Sequence, residues 1–70
     1  MAQIKPFLLN GHSYYTNQNI TLSDVIIYFN YNDSLLVLEL NKFICNKNKW
    51  HNTLISNHDQ IEIVTIVGGG

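Results

Sequence analysis

The sequence predicts an α+β domain, a mixed four- to five-stranded sheet with one helix packed on one face. Three observations predict it. Asn10-Gly11 joins two strand-like runs and indicates a hairpin, because both residues tolerate the positive φ of a tight turn. A capped amphipathic segment that begins at Thr21 indicates the helix. A β-branched run over residues 61–67 indicates a final strand.

Composition limits the size and class of the domain. Seventy residues, 46% of them apolar and 13% charged, describe one compact domain near the lower limit for a self-supporting core. Four Lys and no Arg, with a net charge of -1, exclude an electrostatic footprint for nucleic acid or a membrane surface. No apolar run approaches the roughly 18 residues of a membrane span.

The cysteine count and the first residues bear on compartment. The single Cys45 cannot form an internal disulfide, which suits a reducing compartment. The first residues show neither a secretory h-region nor the composition of a transit peptide. Abundant Asn with no Arg looks like AT-rich coding, as in plastid genomes or low-GC bacteria. We therefore expect a cytoplasmic protein, or a stromal one if the gene is plastid-borne.

The first half of the chain is predicted as a hairpin and a helix. Residues 7–9 form a strand with Pro6 at its start, and residues 12–16 return beside it. Thr21 and Asp24 form a capping box. Four apolar residues then fall at i, i+3, i+4 and i+7 on one helical face: Leu22, Val25, Ile26 and Phe29.

The second half is predicted as strands. Residues 35–40 form a buried strand and residues 43–45 a short one, followed by a loop over residues 46–52 with Trp50 as its anchor. Leu54-Ile55 is expected to lie under the sheet. Polar turn residues then precede the last strand, where a left-handed conformation is expected at His58 or its neighbour.

Alternation along the strands assigns their faces. Ile61 and Ile63 should point toward the helix, as should every second residue of the third strand from Leu36. The outward residues then form an apolar patch on the uncovered face: Leu8, Val37, Val64 and Ile66. We expect Glu39 and Glu62 to rim this patch. It suits a docking surface, although scattered exposed aliphatic residues are equally common on small domains.

The glycines that end the sequence are the most unusual feature. We divide the chain into a folded domain of residues 1–67 and a flexible tail of residues 68–70. Gly68, Gly69 and Gly70 have no side chains, so this tail can enter a slot too narrow for other residues. The reactive group that it presents is the carboxylate of Gly70. Taken alone, such a terminus is more often a frayed end.

Four stretches together resemble one known family: residues 9–11, 21–29, 38–50 and 58–70. The chain resembles the sulfur carrier proteins of thiamine biosynthesis, the ThiS family of the ubiquitin-like β-grasp superfamily. The features that carry the resemblance are the Leu40-Asn41 turn, Trp50 about nine residues later and the terminal glycines. The resemblance implies an open β-grasp with parallel first and last strands. The chain departs from the family at Asn46, where Pro is common, and at His58, where Gly is common.

The resemblance also implies a chemistry. An E1-like adenylating enzyme uses ATP to adenylate the Gly70 carboxylate, and a cysteine-derived sulfur donor converts it to a thiocarboxylate. Thiazole synthase then receives the sulfur. Gly68 and Gly69 match the part of the tail that these partners recognise. The carrier itself needs no bound cofactor or catalytic side chain, so we expect a protein co-substrate without intrinsic catalysis.

Other functions remain open at this point. The small subunit of molybdopterin synthase ends in the same glycines but tends to be longer. A ubiquitin-like modifier or tRNA-thiolation carrier belongs to the same superfamily. A plain interaction module with an unmodified tail is a different class. An acyl-transfer or hydrolytic enzyme is disfavoured, because no nucleophile–base pair stands out.

Several residues look chemical but have simpler interpretations. Cys45 is predicted to be a small apolar residue of a short strand. Asp59 and Glu62 are predicted on a solvated face. The histidines lack ligand spacing, so no metal site is expected: His12, His51 and His58. Three lysines form a mildly basic edge, solvated or facing an acidic partner: Lys42, Lys47 and Lys49.

Overall fold

The structure, a computed structural model, describes residues 3–66. Its strands are β1 (Lys5–Leu9), β2 (His12–Thr16), β3 (Leu36–Leu40), β4 (Phe43–Ile44) and β5 (Asp59–Thr65), and its helix α1 spans Leu22–Tyr28. The five-stranded sheet of this described region has the order β2-β1-β5-β3-β4. β5 runs parallel to β1 and antiparallel to β3. The α+β prediction and the parallel first and last strands are confirmed, and the arrangement is that of a β-grasp fold.

The hairpin and the helix begin where their local signals predict. Asn10 and Gly11 have φ values of 50° and 82° between β1 and β2. Thr21 Oγ1 accepts from the Asp24 amide at 3.2 Å, and the Thr21 amide donates to Asp24 Oδ2 at 2.8 Å. This capping box satisfies amides that have no partner inside the helix. The turn after α1 passes through Asn30 at φ 60°.

The core lies between α1 and the face of the sheet that it covers. Burial follows the predicted alternation, and Leu38 and Ile61 are among the largest fully buried side chains. Burial of the apolar surface of each such side chain stabilises the fold by about 2 kcal/mol. This burial holds a helix of such short length on the sheet. The buried apolar residues are Phe7, Leu9, Leu22, Val25, Ile26, Leu38, Trp50, Ile55, Ile61 and Ile63.

The segment between β4 and β5 differs from the prediction in two places. The expected loop contains a 3-10 helix, Lys47–Asn52, which turns Trp50 into the core so that its Nε1 donates to the Cys45 carbonyl at 2.9 Å. Ile55 is buried as expected, but Leu54 is 52% exposed. Both residues cannot face inward because residues 53–55 run extended and pair with residues 20–22.

The strand ends also differ slightly from the prediction. β3 begins one residue later than predicted because Asp33–Leu35 forms a 3-10 turn capped by Asn32, whose Oδ1 accepts from the Ser34 amide at 3.2 Å. β5 begins at Asp59, two residues earlier than predicted. No helix within the described residues has the length and apolarity that crossing a membrane requires.

Candidate functional site

β5 precedes the tail in the sequence, and its two neighbouring strands, β1 and β3, pair with it over different lengths. Leu9 lies beside Ile61 at the end of β1, where the chain turns back into β2. β3 accompanies β5 further, with Leu36 beside Thr65. The sheet therefore narrows toward residue 66, and the end of β5 is held from the β3 side.

Two asparagines hydrogen-bond to β5 from opposite sides. The Asn10 amide donates to the Ile61 carbonyl at 2.9 Å, and Asn10 Oδ1 accepts from the Ile63 amide at 2.7 Å. The Asn41 amide donates to the Gln60 carbonyl at 2.7 Å, and Asn41 Oδ1 accepts from the Gln60 amide at 2.9 Å. Both asparagines have positive φ, 50° and 53°, a conformation that asparagine tolerates. Each extends the pairing of β5 by one residue beyond the neighbouring strand.

Asp59 anchors the start of β5. The prediction of a solvated position is wrong for this residue, which is only 7% exposed. Its Oδ2 accepts from the Ser56 amide at 2.7 Å, and its Oδ1 accepts from Asn41 Nδ2 at 3.0 Å. The preceding His58 has φ 64°, as expected for this turn. Asp59 is therefore a structural residue that ties the loop before β5 to the turn after β3.

The predicted apolar patch lies on the sheet face opposite α1. Val37 and Val64 are cross-strand partners, so their side chains share this face. Val64 is 58% exposed and Ile66 52%, while Leu8 and Val37 are half-buried. The two exposed members come last in the described chain, next to the tail.

Glu39 and Glu62 do not rim the patch as predicted. They are direct cross-strand partners in the middle of this face, between the Val37–Val64 pair and Leu8, which lies beside Gln60. Within residues 3–66 neither carboxylate takes part in an ion pair. Like charges placed opposite each other are unfavourable. A cation supplied from outside would relieve that repulsion.

Two further residues belong to this face and were missed. Ile44 of β4 is the cross-strand partner of Glu39. Tyr15 of β2 is the cross-strand partner of Pro6, which lies two residues before Leu8 and therefore on the same face of β1. They are 68% and 71% exposed. The signal that identifies them is the pairing register, which becomes available only once the strands are placed side by side.

The other candidates are distributed over the fold. Gly68, Gly69 and Gly70, and with them the boundary after residue 67, lie outside the described residues. Cys45 is half-buried, and its amide donates to the Leu38 carbonyl at 2.9 Å, which extends the β3–β4 pairing by one residue. In the described part of the chain, no three His, Cys, Asp or Glu side chains are arranged to hold a metal ion.

A groove of about 580 Å³ lies between the hairpin and α1. Its lining includes Phe7, Tyr14 and Phe29, and the rings of Tyr14 and Phe29 meet edge-on at 5.0 Å. Phe7 lies beside Asp59, the first residue of β5. The groove is therefore at the opposite end of β5 from Thr65.

Comparison with known proteins gives consistent matches. The model of the ThiS family matches residues 7–70. The chain is 61% identical over 70 residues to the ycf40 protein of Trieres chinensis, covering 100% of this chain and 96% of that one. It is 34% identical over 50 residues to the sulfur carrier protein ThiS of Bacillus subtilis, covering 71% of this chain and 76% of that protein.

A solved structure shows the same fold. The crystal structure of the thiamine biosynthesis protein (ThiS) from Geobacter metallireducens superposes with a TM-score of 0.78, covering 93% of this chain and 99% of that chain. The sequences are 16% identical. At that identity the likeness is one of fold, and it agrees with the β-grasp arrangement described above.

Proposed function

The chain belongs to the ThiS family, and on that premise we propose that it is a sulfur carrier of thiamine biosynthesis whose modified group is the Gly70 carboxylate. The observation that carries the proposal is the family match over residues 7–70, which includes the glycine tail. The relative from Bacillus subtilis named as a sulfur carrier supports it. The same match favours thiamine biosynthesis over molybdopterin synthesis.

The proposed chemistry takes place at the carboxyl group of Gly70. A Gly70 carboxylate oxygen attacks the α-phosphorus of ATP, and pyrophosphate leaves. A cysteine-derived sulfur donor supplies the equivalent of hydrosulfide, which attacks the acyl carbon, and AMP leaves. The resulting thiocarboxylate is a better nucleophile than the original carboxylate, and it delivers its sulfur to thiazole synthase. ATP is bound by the E1-like adenylating partner, so the carrier is assigned no cofactor and no catalytic side chain.

The fold contributes presentation and docking in this proposal. Gly68 and Gly69 pass through the partner's narrow slot, and the apolar patch of Leu8, Val37, Val64 and Ile66 rests against the partner. The patch supports this role because its exposed members, Val64 and Ile66, lie four and two residues before Gly68 in the sequence. The opposed carboxylates of Glu39 and Glu62 favour a partner surface that brings a basic group to the middle of the face.

The compartment proposed is the plastid stroma. Three relatives carry the ycf40 name, which indicates plastid-encoded proteins, from Trieres chinensis, Porphyra purpurea and Pyropia yezoensis. These names support the stroma over the bacterial cytosol. The single Cys45 suits a reducing compartment.

Intact mass tests the proposal directly. The purified chain is incubated with an E1-like adenylating enzyme, ATP and a cysteine-derived sulfur source. The expected product carries sulfur in place of one terminal oxygen, and omission of ATP should prevent its formation. An unchanged mass, with an enzyme shown to adenylate another carrier, would indicate an interaction module with an unmodified tail.

Substitution of Cys45 tests whether the thiol takes part. Cys45→Ala is expected to leave the rate of sulfur loading unchanged, because the side chain packs against the core and the short hydrogen bonds of the residue are made by its backbone. The thiol itself makes only a long contact, 3.9 Å from Sγ to the Asn46 carbonyl oxygen. Removing a half-buried sulfur should lower the free energy of unfolding by about 1 kcal/mol. A folded Cys45→Ala chain that accepts no sulfur would contradict the assignment of the chemistry to Gly70.

A charge placed on the apolar patch tests docking. Val64→Asp is expected to weaken binding to the adenylating enzyme at least about tenfold, because an unpaired carboxylate would be buried in the interface beside the two glutamates. Isothermal titration calorimetry measures the effect. Ile27→Asp is the matched control, since Ile27 is 75% exposed on the helix. Equal losses in both variants would argue against docking through this face.

A further inference from the structure

Backbone groups of β5 point alternately toward its two neighbours. The Ile61 carbonyl and the Ile63 amide point toward β1, where both bond to Asn10. The Ile66 amide points toward β3 and donates to the Leu35 carbonyl at 2.6 Å. Alternation therefore directs the amide and carbonyl of Thr65, together with the Ile63 carbonyl, toward the β1 side.

β1 has already ended where these groups lie. Its last pair with β5 is Leu9 with Ile61, and the Asn10 side chain fills one further position, at the Ile63 amide. Among residues 3–66, no strand pairs with β5 beyond that point on this side. Thr65 is exposed. β5 is the central strand of the sheet, but near its end one side is left unpaired by residues 3–66 and is open to an added strand. This exposed edge of β5 consists of the Ile63 carbonyl and the amide and carbonyl of Thr65.

We propose that this exposed edge of β5 receives an extended segment of the adenylating enzyme, which adds to the sheet as a strand beside the tail. The proposal rests on the proposed function, since it identifies how that partner takes up the chain. Unpaired amide and carbonyl groups in a row select an extended backbone as their occupant. Proteins usually blunt such edges with Lys, Pro or a bulge, and the sequence from Ile63 to Ile66 has no Lys or Pro.

Position on the molecule supports the same occupant. Val64 and Ile66, on either side of Thr65, are the exposed members of the apolar patch, so an added strand would continue the proposed docking face. Thr65 is three residues before Gly68. Pairing at Thr65 would therefore bring the partner close, along the chain, to the residues that it modifies.

Removal of one amide tests the proposal in the full chain. Thr65→Pro deletes an N–H that the β3 pairing does not use, and its φ suits a strand edge, so the fold should persist. We expect its affinity for the adenylating enzyme to fall about tenfold, the loss of a hydrogen bond and of close backbone approach. Thr65→Ala, which keeps the amide, is the control and should bind as the wild type does.

Hydrogen exchange provides a measurement that does not depend on the variant folding. In the wild-type chain the Thr65 amide should exchange quickly when alone and at least about tenfold more slowly when saturated with the adenylating enzyme. An unchanged Thr65 rate in the complex, or equal binding by Thr65→Pro and Thr65→Ala, would overturn the proposal. Slowing that depends on the chain's own concentration, without enzyme, would also overturn it by placing a second copy at the edge.

These outcomes separate this inference from the proposed function. A wild-type chain that acquires terminal sulfur while its Thr65 amide stays unprotected in the complex refutes strand addition alone. A wild-type chain that is never adenylated refutes the carrier assignment, and the edge proposal with it.

Discussion

Appending one leucine after Gly70 is expected to reduce sulfur loading at least about 100-fold and to leave the melting temperature unchanged. The extra residue moves the carboxylate by about 3.5 Å and would put a side chain into the narrow slot that the proposed function assigns to the glycines. A misplacement of about 1 Å at a reacting centre already costs about 100-fold in rate. Thermal stability should not change because the core is made by residues 7–63. Intact mass after incubation with ATP and the sulfur source measures the loss.

A glycine appended at the same place is the matched control. It moves the carboxylate equally far but adds no side chain, so comparison of the two variants separates reach from bulk. Partial loading of the glycine variant with none of the leucine variant would indicate a narrow slot. Normal loading of an uncleaved leucine variant would refute the assignment of the modified group to Gly70.

The sequence predicts the elements whose signals are local. The Asn10-Gly11 turn, the capping box of Thr21 and Asp24, and the alternation over Ile61 and Ile63 each depend on neighbours within a few residues. Such signals are sufficient for the hairpin, the helix and the buried face of the last strand. The glycine tail and the family resemblance then identify the candidate function.

Long-range pairing could not be predicted in the same way. Glu39 and Glu62 look like separate rim residues until the β3–β5 register places them opposite each other. Asn10 looks like a turn residue, yet its side chain bonds to Ile63, 53 positions away. A polar residue that makes a long-range hydrogen bond has the same kind of neighbouring sequence as a polar residue that faces solvent. For the same reason the local sequence predicts a solvated position for Asp59, which the fold buries.

Asp59 also illustrates how contacts at the start of β5 determine the position of its end. Its carboxylate joins the Ser56 amide, in the loop before β5, to the Asn41 side chain after β3. Asn41 in turn accepts from the Gln60 amide. The start of β5 is therefore held in register by one buried acid, and that register decides which face Val64 and Ile66 occupy and where the Thr65 amide points.

Asp59→Ala is accordingly expected to lower the free energy of unfolding by about 3 kcal/mol, the largest stability effect predicted for a polar residue of this chain. The substitution leaves the Ser56 amide and Asn41 Nδ2 without their acceptors in a site that is 7% exposed at Asp59. Urea unfolding followed by circular dichroism measures the loss. Glu62→Ala is the control because it removes the same charge from an exposed position of the same strand.

The control should change stability by less than about 0.5 kcal/mol, and relief of repulsion from Glu39 favours a small gain. Equal losses in the two variants would mean that net charge, and not the buried hydrogen bonds, sets the effect of Asp59. A folded fraction of Asp59→Ala should still accept sulfur at Gly70, since the carboxylate of Asp59 acts on the position of β5 and takes no part in the transfer. Loading per folded molecule therefore distinguishes a residue that holds the strand from one that takes part in the chemistry.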